Sequence, residues 1–244
     1  MDGDEKRARM GDFAWYHTVD LGDGVVTPGQ YDHRTLLSHY GLPDDLTGKT
    51  VLDVGPAHGF FAFELERRGA SRVVTAELPQ WSAHDGSGVL KSGFERDGAD
   101  EANEGYLHGA LGFAIEARGS AVEQVFCNVY DLSPDFVGEF DLVFCASMLI
   151  HITDPLRALY AIRSVTRETA IVVTTIDPRP RGRAPRARFV GRPDGQTFWE
   201  PNVRCLEQWA VAAGFGSVEL VSKFRLASVD GRFDEPHATI RAHP

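Results

Sequence analysis

Along the 244 residues, short apolar runs alternate with longer amphipathic stretches. Thr50–Val54 (TVLDV) is an apolar run of buried-strand type, and residues 60–68 (FFAFELERR) read as a helix stopped at Gly69. Residues 72–76, 140–145 and 170–176 are further strands by the same criterion, rich in Val, Ile and Phe. Helical periodicity occupies 103–117, 155–165 and 203–213, the last closed by Gly214, and two adjacent strands follow at 217–224 and 237–242. Strands alternating with helices predict an α/β fold with a mostly parallel sheet, helices on both faces, and an antiparallel edge from the two late strands. Ahead of this pattern, residues 1–12 are polar and read as loose. Residues 13–40 are rich in aromatics and glycine, with a turn at Thr27-Pro28-Gly29 and a short helix expected over 32–40. The chain thus divides into a lead-in, 1–45, and one domain, 46–244, interrupted only by the irregular Arg-, Pro- and Gly-rich stretch 178–195.

Composition narrows the setting. Hydrophobic residues make up 43% and charged residues 25%, as in a soluble globular protein, and no apolar run is long enough for a membrane helix. The charged start, MDGDEKRARMGDF, has no apolar middle of the signal-peptide kind. Cys127, Cys145 and Cys205 are odd in number and widely spaced, which argues against a disulfide framework or a zinc site and for a reducing, cytoplasmic location. A net charge of −10 would repel a phosphate backbone unless basic residues gathered on one face, so a nucleic-acid partner is disfavoured.

The strongest local signal is Val51-Leu52-Asp53-Val54-Gly55-Pro56-Ala57-His58-Gly59-Phe60, a strand, a tight loop and a helix start. Glycines there allow a sharp turn and let a ligand approach the backbone. Glu77 ends the next strand, roughly the ~20 residues downstream where an acid accepts from ribose hydroxyls. A dinucleotide needs G-x-G-x-x-G, but Ala57 and Phe60 stand at its second and third glycine positions, and Phe60 would crowd a pyrophosphate. S-adenosylmethionine (SAM) has no phosphate and can use Gly55 and Gly59 alone, with Asp53 facing its amino group directly or through water. A strand–turn–helix whose glycines serve only packing is the bland alternative.

Further along come VFCNVYDLSP (residues 125–134), FDLVFCASMLIHITDP (140–155) and AIVVTT (170–175). With VLDVG…G and the acid, this order resembles the class I SAM-dependent methyltransferases. Within them it most resembles the branch of the bacterial tRNA uridine-5-oxyacetic-acid methyltransferase. WYHTVDLGDGVVTPGQYDHR and FWEPN…L…WAVAAGF are also similar to that branch, so the resemblance spans residues 13–224. It implies a Rossmann-like, seven-stranded, mostly parallel sheet and SAM as cofactor. By the same resemblance, Gly55, Ala57 and Gly59 form the cofactor's floor, Glu77 binds ribose and Leu78 lies beside adenine. Asn128 and Val129 meet the adenine edge, Ala146 and Ser147 border the methionine part, and His151 faces the substrate. A histidine there suits proton removal from an attacking hydroxyl or amine, though it could equally brace the Asp154-Pro155 turn.

Where those relatives carry a tyrosine that helps hold the extra carboxylate of carboxy-SAM, this chain has Ile150, which points to ordinary SAM. Six arginines lie between Arg179 and Arg192; Arg181 and Arg188 are candidates to grip an anionic substrate, and a solvated loop is the other reading. Trp199 is expected to wall the acceptor pocket, with a packing role as the equal alternative, and Tyr16, His17, Gln30 and Tyr31 to close over the ligand as a lid. His58 is a lone histidine without partner ligands, and Asp141 and Asp154 have no third ligand at a convincing spacing, so no metal is expected. The function expected is methyl transfer to oxygen or nitrogen of a small molecule, an anionic one included. A tRNA methyltransferase is the alternative, and a non-catalytic nucleotide-binding or NAD-linked Rossmann protein the third reading.

Overall fold

A computed structural model of the chain describes residues 1–85, 108–179, 184–191 and 197–244. Strands β1 (Thr50–Val54), β2 (Arg72–Glu77), β3 (Glu123–Phe126), β4 (Phe140–Ala146) and β5 (Thr166–Thr175) are parallel neighbours in the order β3-β2-β1-β4-β5. A short ribbon of β6 (Ala187–Phe189) and β7 (Trp199–Pro201) stands apart from the sheet. Strands β8 (Ser217–Ala227) and β9 (Asp234–His243) complete it to seven, β9 lying antiparallel to β5 and the edge strand β8 antiparallel to β9. This is the Rossmann-like α/β architecture that the sequence predicted. Strand order reverses between β1 and β4, and in open α/β sheets the crevice beyond the carboxyl ends of such strands is where ligands bind.

The two-residue period of the strands sorts their side chains into two cores. Val51, Val73, Leu142, Phe144, Ile171 and Val173 face one side, under helices α2 (Phe60–Arg67) and α3 (Ala110–Arg118) and the lead-in. Leu52, Val74, Val143, Val172 and Ile240 face the other, under the short α4 (Pro134–Val137), α5 (Pro155–Ser164) and α6 (Val203–Ala212). Asp154 and Asn202 cap α5 and α6 by accepting from Arg157 N and Cys205 N at 3.0 and 2.8 Å. β5 begins four residues before the apolar run because its first rungs carry the solvent-facing Arg167 and Glu168, which hydrophobicity does not register. The expected helix 103–117 lies partly outside the described residues; what is described begins at Ala110.

The first twelve residues are not loose. Asp2 accepts from Asp4 N and Glu5 N at 3.0 and 2.9 Å and starts helix α1 (Gly3–Met10). Lys6 is buried, its Nζ donating to Leu21 O at 2.8 Å and pairing with Asp23 at 2.7 Å, while Arg9 forks onto Glu116 at 3.0 and 2.9 Å. Trp15, Val19, Leu21, Val25, Tyr40 and Leu42 all enter the core, so the lead-in packs as one wall of it. Over 32–40 the expected helix is a 3₁₀ segment, Arg34–His39.

Candidate active site

β1 ends in a loop whose conformations only particular residues tolerate. Gly55 has φ +73°, Ala57 +45° and Gly59 +82°. A Cβ on Gly59 would lie 2.5 Å from Leu111 Cδ1 and 3.0 Å from Phe63 Cε2, so glycine is needed for both its backbone and its close approach to α3. Gly59 has no side chain with which to cap α2. That task falls to Asp53 one strand back, whose carboxyl accepts from Ala62 N–H. Asp53 is 1% exposed, its Oδ2 has no hydrogen-bond partner, and burial together with the nearby Glu77 pushes it up to about 8.

Glu77, at the end of β2, accepts from Leu78 N at 2.8 Å and from Ala57 N–H, pinning the loop to the neighbouring strand. Burial raises it to about 7 in spite of those two donors. The cleft above these strand ends encloses about 1240 Å³, its open mouth included.

Eleven of the residues predicted for the site lie on this cleft: Tyr16, His17, Gly55, Ala57, Glu77, Leu78, Asn128, Val129, Ala146, Ser147 and His151. Asn128 Oδ1 accepts from Tyr130 N at 3.1 Å and its Nδ2 donates to Ala83 O at 3.3 Å, fixing the amide at the wall near Leu78. His151 ends a 3₁₀ turn (Leu149–His151), its ring 6.3 Å from that of His84.

Other predicted residues take different places. Asp53 and Gly59 lie behind the wall, shaping the loop. Tyr31 is buried at the back of Tyr16, ring centroids 4.9 Å apart, and is held by Tyr16 O and Thr18 N at 2.9 and 2.8 Å. Ile150 is buried and its carbonyl accepts from Phe198 N at 2.8 Å. Trp199 does not wall the pocket: its Nε1 donates to Thr153 O at 3.0 Å and its ring meets Phe189 edge-on at 4.9 Å, so β7 braces the His151 turn from outside. Arg188 pairs with Glu200, and Arg179 with Asp177 at 2.7 Å, so neither cation is held in reserve for a substrate. Arg181 lies outside the described residues. Asp141 accepts from Thr50 N at 2.8 Å at the opposite end of the sheet from Asp154 and the cleft.

Two sets of cleft residues had no sequence signal. His33 and Tyr40, from the lead-in, meet at 2.7 Å (Nδ1 to hydroxyl), beside Phe61. Burial lowers His33 to about 3 and holds His17 well below its ordinary value, so both line the cleft as neutral rings. Opposite them, Asp85 accepts from Thr153 N and Oγ1 at 2.7 and 2.8 Å and from the Tyr130 hydroxyl, which ties Trp81–Asp85 across to the start of α5. Only the three-dimensional meeting of segments far apart in sequence identifies these groups.

The residues present suit SAM. Its sulfonium and ammonium outweigh its one carboxylate, and the described cleft lining offers the carboxyls of Glu77 and Asp85 and no Lys or Arg. Gly55 and Ala57 expose backbone at the floor, and the aromatic wall suits a nucleoside. No group of three His, Cys, Asp or Glu among the described residues is placed to hold a metal ion. No helix among them is long and apolar enough to cross a membrane, and Cys127, Cys145 and Cys205 are free thiols.

Comparison with known proteins agrees with this arrangement. The chain is 25% identical over 182 residues to a tRNA U34 carboxymethyltransferase of Campylobacter hominis, covering 73% of this chain and 54% of that protein. It is 28% identical over 138 residues to a ubiquinone biosynthesis O-methyltransferase of Neisseria meningitidis, covering 56% of this chain and 48% of that protein. The chain thus spans about half the length of these curated relatives. Among solved structures, the N-terminal domain of EvdMO1, crystallised in the presence of SAH and D-fucose, superposes with a TM-score of 0.64 at 16% identity over 100% of this chain and 97% of that one. The methyltransferase-domain family model matches residues 30–220, which takes in the loop after β1, Glu77, Asn128, Ser147 and His151. The chain belongs to the methyltransferase-domain family.

Proposed function

We propose that this chain transfers the methyl group of SAM to an oxygen or nitrogen of an uncharged small molecule. The observation that carries this reading is one cleft lined by two kinds of group. The β1 loop, Glu77, Leu78 and Asn128 suit a nucleoside, and Tyr16, His17, His33, Tyr40 and His151 suit an acceptor. When bound, the cofactor supplies an electrophilic methyl on a sulfonium. The chain's own part is to align the acceptor with that methyl and to keep water away, and alignment alone supplies much of the rate in such transfers. The buried aromatic wall of Tyr40 and Phe61 does the excluding, and His151, on the turn braced by β7, stands where a departing acceptor proton can be taken.

Arg179 pairs with Asp177 and Arg188 with Glu200 across the β6–β7 ribbon, and the described cleft lining holds no Lys or Arg, which supports an uncharged acceptor over the anionic one expected from the arginine-rich stretch. Similarity to the tRNA U34 carboxymethyltransferase keeps an RNA acceptor as the rival. The test is calorimetric titration with SAM and its demethylated product SAH, then transfer of labelled methyl to bulk tRNA and to a panel of phenols, sugars and amines. SAH binding with label on a small molecule supports the proposal. Absence of SAH binding, or label on tRNA alone, overturns it.

A further inference from the structure

Ser147, on the cleft floor just past β4, sits at φ +55°, a left-handed conformation that costs a non-glycine residue about 1–2 kcal/mol. Its backbone is fixed by N–H donation to Val173 O at 2.8 Å. Its hydroxyl lies 3.3 Å from Nε2 of His237, which is 2% exposed near the start of β9.

The protons in this cluster can be assigned by elimination. His237 Nδ1 is 3.0 Å from Glu235 O, a carbonyl that only accepts, so Nδ1 carries the proton and Nε2 presents a lone pair. Two hydroxyls compete for that lone pair, Ser147 Oγ and Thr175 Oγ1, the latter at 3.2 Å. Thr175 Oγ1 is also 3.3 Å from the Glu235 carboxylate, which likewise only accepts and draws the threonine proton by its charge. Ser147 is left as the donor to His237. Burial keeps the imidazole below its ordinary value and therefore neutral, consistent with an accepting Nε2. With its proton committed inward, the Ser147 hydroxyl turns only lone pairs toward the cleft.

A pure acceptor at that point calls for a ligand N–H or O–H. We propose that His237, acting through Ser147, makes the cleft floor a hydrogen-bond acceptor for the ammonium of the cofactor's methionine end. The inference rests on the SAM reading above and assigns His237 as a positioning residue.

The test measures binding of SAH, and of 5′-methylthioadenosine, which has the nucleoside and thioether but no amino-acid end, by calorimetry. Ser147→Ala and His237→Leu are each expected to weaken SAH by about tenfold or more while leaving 5′-methylthioadenosine within about twofold. The double variant should be no weaker than either single one, because both remove the same acceptor. His237→Gln, whose side-chain oxygen can take the serine proton, should restore SAH binding to within about threefold. If His237→Leu does not fold, Ser147→Ala carries the comparison with the two ligands. SAH binding indifferent to these substitutions, or equal losses for both ligands, would overturn the inference alone. Failure of the unaltered protein to bind SAH would overturn the cofactor assignment and this inference with it.

Discussion

Burial of Asp53 beneath the β1 loop makes a testable mark on stability. Its carboxyl keeps its proton up to about pH 8 in the folded chain, whereas the unfolded chain releases it near 3.8. Above 3.8 the folded state therefore binds more protons than the unfolded one, and stability falls as pH rises until about 8. His17, His33 and His237 act in the opposite sense. Their folded values are lowered, so the unfolded state holds the extra protons, and stability rises with pH up to their ordinary value of 6.5. Between 6.5 and 8 the three histidines still add back about 1 kcal/mol together as the last unfolded-state protons leave, a contribution any Asp53 variant shares, so the carboxyl slope is read as the difference between two proteins. Over that interval Asp53 costs about 2 kcal/mol, and Glu77, which titrates near 7, adds less than about 1. Asp53→Asn keeps an oxygen for Ala62 N–H and has no charge to bury. The assay is urea unfolding at half-unit steps from pH 6 to 9 on both proteins, with midpoints converted through a common slope. The unaltered chain should lose about 1–2 kcal/mol across the interval and Asp53→Asn none, a difference between the two of about 2 kcal/mol. Parallel pH profiles for the two proteins would refute the reasoning.

Four further outcomes are expected. Gly59→Ala forces a left-handed alanine against Leu111 and Phe63 and should cost about 2–4 kcal/mol, read as a fall in Tm and in urea midpoint. Tyr40→Phe removes the hydroxyl 2.7 Å from His33 Nδ1 in a ring whose Nε2 already has no partner, and should cost about 1–3 kcal/mol by the same measurement. His151→Asn should slow single-turnover methyl transfer by up to about a hundredfold with the SAH Kd unchanged; a changed Kd with normal transfer would remove it from the acceptor side. Trp199→Phe, which deletes the bond to Thr153 O, should raise KM for the acceptor more than it alters SAH affinity, because it loosens the turn that carries His151.

Legibility from sequence followed the range of the interactions. The β1 loop was readable because strand, glycines and helix are contiguous, and Glu77 because one helix and one strand separate it from the loop at a regular distance. Asn128, Ser147 and His151 were placed through family resemblance, and the cleft does bring all three together with Glu77. Asp53 shows the limit of that kind of reading: its position in the motif was right, but its carboxyl serves the start of α2 because Gly59 has no side chain to do so. Trp199 was misplaced for a related reason, since an aromatic in a loop can face inward or outward, and pairing of β6 with β7 turned it toward Thr153. The polar helix α1 escaped notice because a capping aspartate and a buried lysine, rather than an apolar stripe, hold it in place.

The lead-in also sets the order in which the molecule can be finished. Its last turn is joined to the final strand, Thr239 Oγ1 donating to His39 O at 2.8 Å and Arg241 to Gly41 O at 2.9 Å, and Tyr40 packs on Phe224 of β8 at 5.1 Å. These partners are separated by about the whole length of the domain, so the closure entropy is met only when the C-terminal hairpin exists. The Tyr40 side of the cleft is thus completed only when the C-terminal hairpin has docked beside it.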